Sequence, residues 1–276
     1  YHTVDHETDP SLFYLSGRDL HVGISADAGA SWQRRSLPVA DGMAVVSGFR
    51  GCLLSDGTIL FPVGGTPLAG DGTAVGSGWR QFMARSEDNG RSWEILPVFQ
   101  DPNGAFTEEL SLLELDDGRI LGMARAHRHR DPITGYLWQL WSEDRGRTWS
   151  RPVETRIWGY PCFLNRLRDG RLLCTYGYRR EPMGIRAVLS DDGGHSWNMD
   201  DVRILRDDGG TPAQGWTEEE RAGFGDKVGR ADLGYPWSAE LEGETILTVY
   251  YITGADGATH AAATRWTLGD VDQGGA

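Results

Sequence analysis

The amino-acid sequence predicts an all-β protein, and within that class a β-propeller. Its 276 residues include 38 glycines and 11 tryptophans. Short apolar runs alternate with turn residues, and long runs with a helical repeat are nearly absent. Two short motifs recur along the chain and divide it into units of similar construction. A chain of this length can bury a large core, and we expect one propeller domain over residues 1–276.

The first repeat is a polar turn closed by tryptophan, with the pattern S-x-D-x-G-x-[ST]-W. Its aspartate can accept hydrogen bonds from backbone amides of the same turn, its glycine supplies a positive φ, and its tryptophan can pin the turn to a sheet. We interpret these boxes as structural turns with solvated acids, not as catalytic groups. The four copies are "SADAGASW" at 25–32, "SEDNGRSW" at 86–93, "SEDRGRTW" at 142–149 and "SDDGGHSW" at 190–197.

The second repeat is a hairpin signal, in which a turn dipeptide lies between two apolar runs. Its copies are "LLSDGTIL" at 53–60, "ELDDGRIL" at 114–121, "RLRDGRLL" at 166–173 and "ELEGETIL" at 240–247. Five hairpins are predicted, near 9–24, 46–85, 107–141, 159–189 and 233–267. Each unit therefore consists of a hairpin, a third strand, a box and a fourth strand, which is the construction of a propeller blade. A β-sandwich is the alternative, although it would not need the same turn in every unit.

Charge and cysteine content narrow the class of partner. The formal net charge of −13 argues against nucleic acid or an anionic membrane as partner. An anionic substrate would need a local pocket of arginines. Cys52, Cys162 and Cys174 lie in apolar segments and are expected to be free thiols. No metal-ligand spacing, cofactor motif, signal peptide or membrane span is predicted. Because the chain begins with Tyr1, its natural start and its location, cytoplasmic or secreted, stay open, as does its oligomeric state.

The boxes and the strands around the last two hairpins resemble the sialidase (neuraminidase) superfamily, the BNR-repeat glycosidases. The resemblance is carried by "GYRREPMGIRAVLSDDGGHSW" at 177–197 and "DLGYPWSAELEGETILTVYY" at 232–251. It implies a propeller in which the first strand of each blade lines a central channel and its opening residue faces the substrate. Alignment of the units on their hairpin turns gives the opening positions Asp9, Gly48, Glu109, Pro161 and Tyr235.

The resemblance also implies catalytic roles. Sialidases have a glutamate followed sixteen residues later by an arginine that holds the substrate carboxylate, and Glu109 and Arg125 have this spacing. Sialidases open the last blade with a tyrosine, the place of Tyr235. A neutral phenol approaches an anionic sugar more easily than a carboxylate does, and a glutamate accepts its proton. The resemblance thus makes Tyr235 the nucleophile and Glu109 its base. The alternatives are that Tyr235 packs beside Trp237 and that Glu109 is a surface acid like its neighbour Glu108.

Further substrate-binding residues are expected before the fourth box, where sialidases place another arginine for the carboxylate. Arg179 and Arg180 are the candidates and Arg180 is preferred, whereas Arg186 is expected to face solvent. A guanidinium fork suits a carboxylate better than an ammonium group does. Tyr160 is expected to border the same rim. His127 and His129 could contact a sugar hydroxyl or lie in a solvated loop.

The sequence departs from sialidases at its start. The R-I-P arginine and the acid/base aspartate of the first blade have no counterpart. The resemblance therefore implies either five blades or a six-bladed propeller that lacks the first. Asp9 is then the candidate acid and Arg50 the candidate third arginine. The acidic, glycine-rich stretch at about 205–232 is expected to form a rim loop that could cover the substrate.

These features predict an exo-glycosidase of sialidase type that releases a terminal, acidic sugar. Two alternatives stay open. One is a non-catalytic carbohydrate-binding propeller, which keeps the arginines and aromatic residues but lacks the acid. The other is a polysaccharide lyase on the same scaffold, in which a tyrosine removes a proton from a uronic acid.

Overall fold

The computed structural model describes residues 20–37, 43–67, 79–99, 105–127, 135–180, 182–209, 233–254 and 257–269. Within these ranges every regular element is a β-strand, no helix occurs, and neighbouring strands pair antiparallel. The predicted all-β class is confirmed. No helix long and apolar enough to cross a membrane is found in these ranges.

The strands form five sheets, each built from strands that follow one another along the chain. In chain order they are β1 (His21–Ile24) and β2 (Gln33–Ser36); β3 (Met43–Gly48), β4 (Cys52–Leu53), β5 (Ile59–Pro67), β6 (Arg80–Ser86) and β7 (Glu94–Phe99); β8 (Phe106–Glu114), β9 (Ile120–His127), β10 (Tyr136–Ser142) and β11 (Val153–Trp158); β12 (Cys162–Arg166), β13 (Leu172–Tyr178), β14 (Met183–Ser190) and β15 (Arg203–Gly209); β16 (Leu233–Glu240), β17 (Thr245–Thr253) and β18 (Thr259–Thr267).

The chain divides into two compact units. The first unit comprises residues 1–134 and 138–153, and the second comprises residues 135–137 and 154–276. The first unit is centred on a cluster of buried aliphatic side chains that includes Leu60, Met83 and Leu110. The second unit has two such clusters, one around Leu173 and Trp266 and one around Ile185, Leu233 and Ile252.

The four boxes form the predicted turns, and three of them follow the third strand of a four-stranded path. In the second box Asp88 accepts hydrogen bonds from the amide and the hydroxyl of Ser92, at 2.8 and 2.7 Å. Asn89 and Gly90 both have positive φ, 56° and 74°, so a glycine is favoured at the second of these positions. The box aspartate thus accepts hydrogen bonds within its own turn, as predicted.

The tryptophans of the boxes differ in burial. Trp93 and Trp149 pack half-buried against core clusters of the first unit, which confirms their predicted role. Trp32 instead is 66 % exposed and lies over Gly23.

The predicted hairpin turns at 53–60, 114–121, 166–173 and 240–247 each connect two paired strands. One predicted boundary is wrong. The rim loop predicted at about 205–232 begins later, because Leu205–Gly209 belong to β15, which pairs with β14. The rest of that loop lies outside the described residues, as do Asp9 and the first predicted hairpin up to residue 19. The three cysteines are free thiols, two of them buried.

Candidate active site

Glu109 and Tyr235 occupy the same position in their sheets. The pairing of β8 with β9 shifts register between Glu108 and Ser111, and the pairing of β16 with β17 shifts between Gly234 and Trp237. Glu109 and Tyr235 lie in these two bulges with φ of 52° and 51°. Positive φ is uncommon for residues other than glycine, and residues held there cluster at functional sites. Two of the three residues predicted from the sequence as catalytic thus share one unusual backbone conformation.

In the first unit a single guanidinium contacts two carboxylates. The Nε of Arg125 lies 3.2 Å from Oε1 of Glu108, its partner across the sheet. The Nη1 of Arg125 donates a hydrogen bond of 3.5 Å to Oε2 of Glu109. The second contact is at the upper limit of hydrogen-bond length. The ion pair of Arg125 with Glu108 therefore does not depend on the weaker contact with Glu109.

Arg50, the candidate third arginine, also belongs to the first unit. It lies in the short connection between β3 and β4, and its side chain is exposed. The pairing of β3 with β5 shifts register between Val45 and Ser47. Arg50 therefore follows a β-bulge, whereas Glu109 and Tyr235 lie within one.

In the second unit Tyr235 lies beside a second tyrosine. The side chain of Tyr235 is 40 % exposed, and its ring centroid is 5.9 Å from that of Tyr251. The Nη2 of Arg179 donates a hydrogen bond of 3.4 Å to the hydroxyl of Tyr251. The Nε of Arg179 donates one of 3.1 Å to the carbonyl oxygen of Leu233. The arginine is thereby fixed to the strand that carries Tyr235.

The backbone of β13 packs closely against Tyr160 and against β16, the strand that carries Tyr235. A Cβ added to Gly177 would lie 2.8 Å from the carbonyl oxygen of Tyr160 and 3.1 Å from the Cα of Gly234. Both neighbours are backbone atoms that cannot move aside, so β13 needs glycine there. Tyr160 itself is buried, with the Arg179 guanidinium carbon 5.2 Å from its ring centroid. Tyr160, predicted to border the rim, thus lies buried with its ring against the Arg179 guanidinium.

A chain of buried hydroxyl groups supports β16 from within. Ser238 donates to Thr175 at 3.2 Å and shares a hydrogen bond of 2.9 Å with Thr248. Thr248 in turn accepts a hydrogen bond from the indole of Trp266, at 3.0 Å. These bonds fix β16 relative to β13 and β17 at Ser238, three residues beyond Tyr235.

Arg179 and Arg180 point to different neighbours. The guanidinium carbon of Arg180 lies 3.8 Å from the ring centroid of Trp158. Arg179, not the preferred Arg180, therefore contacts the neighbour of Tyr235. Arg186, expected to face solvent, is half-buried with its guanidinium carbon 3.7 Å from the ring centroid of Tyr178.

Two histidine candidates contribute nothing that the structure describes. His127 is the last residue of β9, and His129 lies outside the described residues. No group of three or more histidine, cysteine, aspartate or glutamate side chains that could hold a metal ion occurs within the described ranges.

Tyr251 was missed by the sequence analysis. Counting back from the hairpin turn, where Glu240 pairs with Ile246, would place Ile252 opposite Gly234. The bulge moves the register by one residue, so Tyr251 is opposite Gly234 instead. The signal that could have found it is the pair of tyrosines in "LTVYYIT", one of which must face the same side as Tyr235.

Comparison with known proteins identifies a family model. The model described as a BNR repeat-like domain matches residues 10–249. No curated protein matches the chain significantly.

Solved structures give a consistent fold. A protein of unknown function from Dyadobacter fermentans has a TM-score of 0.69 and 25 % identity, over 89 % of this chain and 63 % of that one. The Hadza microbial sialidase Hz136 has a TM-score of 0.61 and 20 % identity, over 91 % of this chain and 44 % of that one. An ulvan lyase of polysaccharide lyase family PL25, bound to -[GlcA(1-4)Rha3S]-, has a TM-score of 0.55 and 13 % identity, over 91 % and 64 %. The chain thus spans less than two thirds of the length of each. These similarities confirm the predicted propeller fold of sialidase type.

Proposed function

The chain belongs to the BNR repeat-like domain family, and on this premise we propose that it is an exo-glycosidase of sialidase type that releases a terminal acidic sugar. The observation that supports the proposal most is that Glu109 and Tyr235 each lie in a β-bulge with positive φ. Each bulge residue also has an arginine nearby, through a direct contact for Glu109 and through Tyr251 for Tyr235. A neighbouring guanidinium suits a substrate with a carboxylate.

In the proposed reaction the phenol oxygen of Tyr235 attacks the anomeric carbon, and Glu109 accepts the phenol proton. The bond to the leaving oxygen breaks, and an acid protonates that oxygen. Water then hydrolyses the glycosyl–tyrosine intermediate and regenerates the phenol. The acid is Asp9 in this proposal, by its opening position in the sequence alignment.

In this proposal the substrate carboxylate is bound by arginines. Arg125 and Arg179 are held at their places by Glu108 and by Leu233 and Tyr251, respectively, so little side-chain entropy is lost on binding. Arg50 is the third candidate because it is exposed. In a chain with net charge −13, such local positive charge is needed to attract an anion.

A lyase is the second candidate, favoured by the similarity to the ulvan lyase. In this reaction Tyr235 or Tyr251, as the phenolate, would remove the proton α to a uronate carboxylate. The C4–O bond to the neighbouring sugar would break to leave a double bond, and the departing oxygen would take the proton back from the phenol. Arg179, which donates to Tyr251, would neutralise the uronate. A non-catalytic carbohydrate-binding propeller would use the same contacts without turnover.

The experiment that tests the proposal compares three readouts on the same full chain. Release of 4-methylumbelliferone from its sialoside reports hydrolysis, near-ultraviolet absorbance of an unsaturated uronate product reports elimination, and calorimetry reports binding. We expect hydrolysis, its loss in Tyr235→Phe, and a decrease of about 10² to 10⁴-fold in Glu109→Gln. The control is Tyr136→Phe, which alters another exposed tyrosine of the second unit. Full turnover by Tyr235→Phe would overturn the proposal. Elimination, or binding without either reaction, would replace it by the corresponding alternative.

A further inference from the structure

Two arginines of the second unit lie on adjacent aromatic rings. Arg180 stacks on Trp158 and Arg186 stacks on Tyr178, with guanidinium carbons 3.8 and 3.7 Å from the ring centroids. The two rings contact each other edge to face, with centroids 5.5 Å apart. Trp158 is buried, whereas the two arginines are half-buried. We call Arg180, Arg186 and these two rings the stacked pair.

The stacked pair has no acidic partner among the described residues. Three other arginines of this unit do have one: Arg171 is paired with Asp169, Arg203 with Asp201 and Arg206 with Asp208. Arg180 makes no hydrogen bond or ion pair to any described residue. Arg186 donates only a long bond of 3.4 Å to the carbonyl oxygen of Pro182, and its Nε is buried without an acceptor.

This arrangement leaves two guanidinium groups available to an anion. The chain has 40 acidic residues, yet none that the structure describes compensates this pair. Stacking occupies the faces of the guanidinium groups and leaves their edge N–H groups in a fixed plane, the geometry that binds a carboxylate in two-point fashion.

The stacked pair adjoins the candidate active site. The Trp158 ring centroid is 6.1 Å from that of Tyr160, and the Tyr160 ring lies beneath Arg179. Arg179 and Arg180 are consecutive, so one guanidinium faces Tyr251 and the next faces Trp158. The rings of Tyr160 and Trp158 therefore lie between the guanidinium groups of Arg179 and Arg180.

We propose that Arg180 and Arg186 bind the carboxylate of a second acidic sugar, next to the terminal one. The inference rests on the proposed function for its ligand, an acidic glycan. It specifies the substrate class as oligosaccharides with acidic residues in succession. Arg179 and Arg125 then bind the terminal sugar, and the stacked pair selects what it is attached to.

The test measures how much a second carboxylate adds to affinity. Dissociation constants are determined by calorimetry in the full-length Tyr235→Phe background, which keeps the probes intact. The probes are α2,8-linked disialic acid against sialic acid, and a 1,4-linked diglucuronate against glucuronate. We expect each dimer to bind about tenfold more tightly than its monomer, the effect of one charge-assisted contact. Arg180→Gln and Arg186→Gln should each remove most of this advantage and leave monomer affinity unchanged.

Two further variants separate the subsite from general charge and from folding. Arg171→Gln removes the same charge from an exposed hairpin turn of the same unit and should keep the dimer advantage. Arg180→Lys keeps the charge but not the fork and should lose part of the advantage. Variants are compared only where their melting temperatures match the background. Equal binding of dimer and monomer in the background, or an undiminished dimer advantage in Arg180→Gln, would overturn the inference.

The sialoside assay on the chain with Tyr235 intact keeps the two proposals apart. Absence of hydrolysis together with an Arg180-dependent dimer advantage would refute the proposed function and leave the subsite in place. Hydrolysis without a dimer advantage would refute the subsite alone.

Discussion

Glu109 and Tyr235 have φ angles of 52° and 51° at equivalent bulges of β8 and β16. Glutamate and tyrosine are both unfavourable in this conformation, because a residue other than glycine costs about 1–2 kcal/mol in the left-handed region. The sheets hold both residues there and so direct two reactive side chains away from the regular alternation of their strands. A cost of this kind is expected where chemistry, and not stability, determines the residue.

The strain at Tyr235 can be measured with two small residues. Tyr235→Gly should be more stable than Tyr235→Ala by about 1 kcal/mol, because only glycine accepts positive φ without strain. The same pair at Trp237, whose φ is not positive, should show the opposite sign, since glycine weakens a regular strand. Free energies of unfolding from urea titrations provide the comparison. An equal preference for alanine at both positions would contradict the strain.

The aspartates of the boxes make the stability of the folded protein depend on pH. Burial tends to raise the pKa of Asp192, but hydrogen bonds from Ser196 and Ser190 outweigh it and lower the pKa to about 2. Hydrogen bonds from Ser31 and Ser25 lower the pKa of Asp27 to about 2 as well. Because these carboxyls have depressed pKa values in the folded state, their stabilising effect is present above the unfolded value near 3.8. It is lost as pH falls from about 4 to about 2.

Asp192→Asn should therefore lower the melting temperature at pH 7 by about 2–4 °C, the effect of roughly 1 kcal/mol in a chain of this size. The difference from the wild type should shrink as pH falls toward 2, because the native aspartate is then protonated too. Asp191→Asn is the matched control, since Asp191 accepts no hydrogen bond within the described residues of this turn. Calorimetric scans between pH 2 and 7 provide the test. A constant difference over this range would show that the carboxylate charge is unimportant.

The hydroxyl chain beneath β16 should contribute to stability beyond its volume. Thr248→Val keeps the shape but removes the acceptor of the Trp266 indole and a partner of Ser238, both buried. We expect a loss of about 2 kcal/mol in the free energy of unfolding, the cost of leaving buried polar groups unpaired. Thr245→Val, on the same strand but half-buried, is the control and should be nearly neutral. Equal effects at the two positions would refute the contribution of the buried hydroxyl groups to stability.

The fold was predictable because its signals are local. The turn at Asp88 needs only a serine, an aspartate and a glycine at fixed spacing, and the hairpin turns need only a dipeptide between apolar runs. Each signal acts within eight residues, so no distant contact could change it. Glu109, Arg125 and Tyr235 are predicted as site residues because a resemblance fixes their spacing relative to such turns.

The contacts of the site were not predictable because they depend on register. Without the bulge in β8, Arg125 would pair with Glu109; the bulge instead pairs it with Glu108 and lets both glutamates reach it. A shift of one residue changes which side chains share a face, and the sequence has no separate signal for the shift. The choice between Arg179 and Arg180 depends in the same way on which residue follows the end of β13.

Tyr251 should act on substrate binding by positioning Arg179. Tyr251→Phe removes only the hydroxyl that accepts from the Arg179 Nη2. A hydrogen bond to a charged group contributes about 1.5–3 kcal/mol, so we expect KM for a carboxylated substrate to rise about tenfold, with a smaller change in kcat. Arg179→Gln should raise KM further.

Tyr250→Phe is the control for this prediction. Its hydroxyl is bonded to Thr264 and Arg206, at 2.7 and 3.3 Å, so its loss should reduce stability and leave KM unchanged. The double variant Tyr251→Phe/Arg179→Gln should be no worse than Arg179→Gln alone, because the hydroxyl acts only through the guanidinium. Additive effects of the two changes would instead mean that Tyr251 contacts the sugar directly.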